Sequence, residues 1–180
     1  MKELKPAFRF LAVFIGAYFC LNILYGIWIS SFGSSADYAT KVVTNQTALL
    51  LNVFGEDTHT APKASSPAIS ILNDKGAVLS VFEGCNGINL MIVFVSFLAA
   101  FGGKAKNMTW FIPLGLFLIY LANLMRVMML YFIAKYQNEY FYYAHKYVLT
   151  AFLYLMVFAL WWWWIEKVNK ISIRKAVTNQ

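Results

Sequence analysis

The sequence predicts an all-α polytopic membrane protein, with about four transmembrane helices, an outward amphipathic helix and a small β-hairpin. Three observations carry this. The first is composition. Of 180 residues, 61% are hydrophobic and 13% charged, against roughly 45–50% and about 25% in an ordinary soluble domain. The second is a set of long windows almost free of charge. The third is an uneven share of Lys and Arg in the segments flanking those windows. Aromatic residues at 18% argue against disorder, and two Cys are too few for a disulfide scaffold.

A bilayer core takes roughly 20 apolar residues as helix. Phe10–Ile29 supplies 20 without a charge. This exceeds the 7–15 residues of a signal-peptide core, and no small-residue cleavage site follows cleanly, so it is read as a retained helix. Ile88–Phe101 is uncharged but only 14 residues long; begun at Cys85 it has 17, about 25 Å of helix. Trp110–Ile133 has 24 residues with one charge, Arg126, and Tyr147–Ile165 has 19 with none. The expected spans are therefore about 10–29, 85–101, 110–133 and 147–165, in a single membrane domain, 1–180. Positive charge marks the inner side. With four spans both termini share a side, which holds Lys2, Lys5, Arg9, Lys104, Lys106, Lys167, Lys170, Arg174 and Lys175. The other side holds Lys41, Lys63, Lys75, Lys135 and Lys146 together with six acids. The expectation is a multi-pass protein of the cell (inner, cytoplasmic) membrane, with cytoplasmic termini and outward segments at 30–84 and 134–146. Trp110 and Trp161–Trp164 fall at the inner interface, where such rings are favoured.

The outward segment 30–84 has its own pattern. Val42, Val43, Gln46, Leu49, Leu50, Val53 and Phe54 recur at helical spacing, which predicts an amphipathic helix over 39–54 lying on the membrane surface. Residues 55–67 are polar with two Pro and read as loop, with His59 exposed to solvent. Two β-like runs, 69–72 and 77–82, flank Asn73-Asp74-Lys75-Gly76 and predict a hairpin over 68–82.

Four residues stand out chemically. Cys85 sits in Gly84-Cys85-Asn86-Gly87 between a strand and a helix. A thiol at a helix N-terminus meets the positive end of the macrodipole, which favours thiolate. It reads either as a nucleophile or as a small residue at a helix start. Cys20, midway along an apolar helix, reads as packing. Arg126 interrupts an apolar span, at a cost of roughly 2.5–3.5 kcal/mol, and such residues line cavities or meet partners. Its bland readings are snorkelling to the interface or a structural pair with Glu83. Asn123, three residues earlier, shares its helix face and is placed to bond the guanidinium, its ligand or another helix. His145 stands at the outward mouth of the last span and reads as a general base or an interface residue. The topology puts Cys85, Arg126 and His145 on one membrane face at similar depth. Cys with His is a nucleophile–base pairing, and an Arg beside them serves a developing oxyanion or a carboxylate.

Other chemistry finds little support. Two His and two Cys far apart give no metal spacing, and no phosphate loop is present, so no metal or cofactor is expected. The net charge of +7 resides mostly in the inner flanks, so no nucleic-acid partner is expected. Transport predicts repeats or broken helices in matching positions, and neither is found.

At these residues the chain resembles the exosortase/archaeosortase family of membrane cysteine transpeptidase-like enzymes. Glu83-Gly84-Cys85-Asn86-Gly87-Ile88 is similar to the family's Glu-x-Cys-Ser-Gly-Leu stretch, with Asn86 where Ser is frequent. Asn123-Leu124-Met125-Arg126-Val127 is similar to its Asn-x-x-Arg-Ile/Val helix motif, and His145 falls where the family has a His before the next span. The likeness covers about residues 67–165, and the chain resembles the short, single-domain members. The resemblance implies cleavage of membrane-anchored protein substrates at a C-terminal sorting signal on the outer face, through a Cys85 acyl-enzyme. His145 would move protons and Arg126 would stabilise the tetrahedral intermediate or position substrate. Asn123, Glu83 and Asn86 would bind substrate or support the site. The oligomeric state is left open. The alternative is a non-enzymatic scaffold or assembly subunit whose Arg126 pairs with a partner helix; a third reading is a small channel or transporter that depends on Arg126 but not on Cys85.

Overall fold

A computed structural model describes residues 4–64 and 66–168. The chain is mostly helical. The elements are α1 (Leu4–Ser30), α2 (Tyr38–Val53), β1 (His59–Pro62), β2 (Ala68–Asn73), β3 (Gly76–Phe82), α3 (Ile88–Phe101), α4 (Ala105–Tyr136) and a last helical run, α5 (Asn138–Val168). Three of them, α1, α4 and α5, are long and apolar enough to cross a membrane. The remaining expected span, α3, has 14 residues, or about 21 Å of helix. It begins at Ile88 rather than Cys85 because Glu83–Cys85 forms a 3-10 turn and Gly87 takes a left-handed conformation (φ 85°). The basic residues Lys2, Lys170, Arg174 and Lys175, used to orient the chain, lie outside the described residues.

The helices form two cores. Toward one end, Phe94, Leu98, Phe111, Ile119 and Trp164 are fully buried between α3, α4 and α5. Gly115 permits this contact: a Cβ there would stand 2.2 Å from Phe94 Cζ, so only a bare backbone lets the ring lie against α4. Toward the sheet end, Val43, Leu51, Ile71, Val81, Leu130 and Tyr131 pack α2, the sheet and α4 together. Helix α1 stands to the side and packs along α3, where Phe10 meets Phe97 and Phe101 edge-on. Phe19, Ile23, Leu24 and Ile27 remain exposed, an apolar surface suited to lipid. Cys20 is exposed there too. It does not pack inside the protein, because the bundle touches only one side of α1.

Helix α2 begins at Asp37, whose Oδ1 accepts from the Thr40 N–H at 3.0 Å and whose Oδ2 accepts from the Thr40 hydroxyl, a side-chain cap. Its buried face is Thr40, Val43, Thr44, Thr47, Ala48 and Leu51. Leu49, Leu50, Val53 and Phe54, expected on the apolar stripe, are exposed. The threonines can be buried because Thr44 and Thr47 donate to the carbonyls four residues back, at 2.7 and 2.8 Å. With those hydroxyls satisfied, the larger apolar side chains are left on the outer surface.

The sheet is antiparallel in the order β1-β2-β3. The β2–β3 connection is Asp74-Lys75, between the paired Asn73 and Gly76, and Lys75 N–H donates to Asn73 Oδ1 at 2.9 Å. Strand β1 corrects the expectation of a loop over 55–67. Pro62 ends the strand at the edge of the sheet, where a missing N–H costs no ladder bond. Asn52 fixes the entry to β1: its Oδ1 accepts from Thr58 N–H at 2.8 Å and its Nδ2 donates to Thr58 O at 3.0 Å. His59 is exposed, on this strand.

Candidate active site

The site is built on the turn joining β3 to α3. Asn86 holds that turn on three sides. Its Oδ1 accepts from Ile88 N–H at 3.0 Å, closing a local turn onto the start of α3, while its Nδ2 donates to Tyr25 Oη on α1 at 2.8 Å and to Thr40 Oγ1 on α2 at 3.4 Å. A serine hydroxyl closes such a turn but does not span these three elements at once, so Asn86 serves this chain as a bridge.

Asn123 presses the turn against α4. Its Nδ2 donates to the Cys85 carbonyl at 2.9 Å, and it is fully buried. Gly87 makes the approach possible, since a Cβ there would stand 3.1 Å from Asn123 Cγ. Asn123 therefore contacts the cysteine's backbone and makes no hydrogen bond to Arg126. Its Oδ1 has no hydrogen-bond partner among the described residues.

Cys85 is 5% exposed, and its Sγ lies 3.4 Å from His145 Nε2. His145 sits inside α5, on a π-helical turn, Ala144–Val148. Such turns recur at functional sites because the extra residue re-aims a side chain. Phe141 stacks on the imidazole at 5.8 Å between centroids and fixes its plane.

Arg126 is 9% exposed. Its Nη2 donates to Thr150 Oγ1 at 3.5 Å, and Thr150 Oγ1 donates to the His145 carbonyl at 2.8 Å. Arg126 is thus tied through one hydroxyl to the backbone of His145. Its Nε has no hydrogen-bond partner among the described residues. It forms no ion pair with Glu83; among the described residues the ion pair is Lys135–Glu56. Thr150 escaped the sequence reading, although it is the one threonine in the apolar window 147–165. Glu83 is half-buried at the start of the 3-10 turn.

Burial pushes the Cys85 thiol up from its ordinary range. The Arg126 charge and the Phe82 backbone amide pull it back, and Glu83 adds to the rise. The expected gain from the α3 dipole does not decide the balance, because the helix starts three residues beyond the thiol. A thiol held up in this way needs a base to become a nucleophile, and His145 Nε2 is the base within reach.

Two cavities adjoin the turn. One of about 120 Å3 runs between β3 and α4 and has Cys85, His145, Val127 and Phe141 in its walls. The other, about 260 Å3, is lined by Gly84, Gly87, Asn89, Arg126, Thr150 and Tyr154. A larger hollow of about 760 Å3, near Glu56 and Asp74, contains none of Cys85, Arg126 and His145.

A polytopic helical protein with a buried thiol in contact with a half-buried imidazole, and a buried arginine tied to that histidine's backbone, has the parts of a membrane cysteine hydrolase or transferase. The family model described as Transmembrane exosortase (Exosortase_EpsH) matches residues 6–163, and the chain belongs to the transmembrane exosortase family. That family is generally one of membrane cysteine proteases or transpeptidases that act on membrane-associated protein substrates. No curated protein and no solved structure matches the chain.

Proposed function

We propose that this protein is a membrane-embedded cysteine protease or transpeptidase that cleaves protein substrates at a C-terminal, membrane-anchored sorting signal on the outer face. The observation that carries the reading is the 3.4 Å contact between Cys85 Sγ and His145 Nε2. His145 takes the thiol proton as sulfur attacks the scissile carbonyl, forming the C–S bond. The tetrahedral oxyanion is stabilised by the Arg126 guanidinium. Collapse breaks the C–N bond, and His145 returns the proton to the departing amine. The acyl-enzyme is then resolved by an acceptor amine or by water. A site at the lipid boundary suits a substrate still held by its own helix, because anchoring raises the local concentration of the cleavage point.

The test is thiol labelling of intact cells with a membrane-impermeant maleimide. Cys20→Ala leaves Cys85 as the one thiol. Labelling that His145→Ala and Arg126→Ala slow at least tenfold supports an outward thiol coupled to both residues. Labelling only after permeabilisation reverses the orientation. Labelling indifferent to both variants rejects the catalytic grouping.

A further inference from the structure

Among the described residues, strand β3 has a neighbour on one side only, since the sheet ends with it. Among the described residues, no backbone hydrogen bond from a turn, loop or cap reaches residues 77–82. Four consecutive residues, Leu79 to Phe82, line the 120 Å3 cavity that also holds Cys85 and His145. A strand that met this space with a face would present alternate residues, because successive side chains point to opposite faces. A run of four means that the cavity follows the strand's edge. The Phe82 backbone amide faces the Cys85 thiol, and Ser80, two residues back, shares that direction along the strand. The cavity is small, about 120 Å3. It admits one side chain beside the thiol and no folded unit, so the remainder of any occupant must lie extended along the edge.

We propose that the free edge of β3 is the substrate's docking site: an extended apolar segment of the protein substrate joins the sheet as a fourth strand, delivering its scissile carbonyl to Cys85. This rests on the reading of Cys85 as the acylated nucleophile. The new strand runs parallel to β3. Both lead from amino to carboxyl end into the Cys85 turn, so residues preceding the scissile bond lie beside Leu79–Phe82. Backbone bonds give the affinity and the apolar slot selects one side chain, as in other strand-addition complexes.

The probe is acetyl-Val-Ala-Val-Ala chloromethyl ketone, offered to the full chain in lipid vesicles, with iodoacetamide as the edge-blind reagent. Cys85 sulfur forms a bond to the methylene carbon, the C–Cl bond breaks, chloride leaves and the thiol proton passes to His145. Four analogues each carry one N-methyl group. The expected result is period-two: methylation at two alternate positions slows labelling at least tenfold, while the other two change it less than threefold. Ser80→Pro should slow the peptide reagent at least tenfold with an unchanged iodoacetamide rate, whereas Ser80→Ala keeps both. Rapid peptide labelling without alternation overturns the docking edge and leaves the nucleophile standing. Peptide labelling that falls as protein density in the vesicle rises gives the edge to a second copy instead. A thiol inert to both reagents removes the proposed function, and this inference with it.

Discussion

The side-chain amide of Asn123, in the middle of α4, donates to the carbonyl oxygen of Cys85 at 2.9 Å, with no solvent exposure. One hydrogen bond thus joins a membrane-crossing helix to the backbone of the candidate nucleophile. Its loss strands a buried carbonyl, which costs about 1–3 kcal/mol. Asn123→Ala should lower thermal stability in detergent and slow Cys85 alkylation. Asn123→Asp should also weaken the bond, because an ionised carboxylate has no N–H to donate. Melting curves and alkylation rates on the same preparations separate the two effects.

Gly87 is the steric counterpart of that bond. Its φ of 85° disfavours any side chain, and a Cβ would stand 3.1 Å from Asn123 Cγ. Gly87→Ala should destabilise the protein by about 1–2 kcal/mol and displace the Asn123 amide. Combined with Asn123→Ala, its penalty should shrink, because the crowding partner has gone. A double-mutant cycle read by thermal unfolding tests this coupling.

Asn86 ties three elements together, through Ile88 N–H, Tyr25 Oη and Thr40 Oγ1. Asn86→Ala removes the bond to Ile88 N–H and both bridges, and a single such bond is worth about 0.5–1.5 kcal/mol. Asn86→Ser should restore the bond to Ile88 N–H without the bridge to α1. Tyr25→Phe should therefore cost little in the Asn86→Ser background and more in the native one. Proteolytic susceptibility of the connection between α1 and α2 is the readout.

The long helices were legible because a bilayer imposes a length of apolar sequence that nothing else requires. Their ends were not. Cys85 reads as the first residue of a span, yet the helix waits for Ile88, since Gly87 adopts a conformation that closes a turn. The buried face of α2 was hidden for a different reason: Thr44 and Thr47 satisfy their own hydroxyls, so a polar stripe is buried while Leu49 and Phe54 stay outside. Strand β1 was hidden by Pro62, which a strand tolerates at an edge. At the site, Cys85, Arg126 and His145 stand out by residue type in an apolar context. Thr150 does not, because a lone threonine in an apolar helix ordinarily bonds its own backbone. Here it also accepts from Arg126, which only the packing of α4 against α5 reveals.

At the sheet end, Glu56 receives Lys135 at 2.5 Å and Tyr131 at 3.1 Å. The Lys135 bond, against some desolvation, holds its carboxyl below the usual carboxylate range. A folded pKa below the unfolded value adds stability that is present above the unfolded pKa, near 4.3. That contribution is lost as pH falls through the folded value. Exposed pairs contribute little and are screened by salt, so the effect should be small. Glu56→Gln should lower Tm slightly at pH 7, match the native protein near pH 3, and show a gap that narrows at high salt.

Cys85 itself carries the sharpest pH prediction. Burial raises its thiol and Arg126 opposes the rise, so removing that charge must raise it further. In the Cys20→Ala background, alkylation by iodoacetamide should increase with pH along a curve centred above the ordinary thiol value of about 8.5. Arg126→Ala should move the curve to still higher pH. Glu83→Gln should move it lower, because the Glu83 charge adds to the rise. His145→Ala should slow alkylation near neutrality, where a base is needed to take the proton, and matter less at high pH, where the thiolate forms unaided. Parallel rate profiles of the four proteins check all three directions at once. An Arg126→Ala curve displaced to lower pH would show that its charge does not act on the thiol.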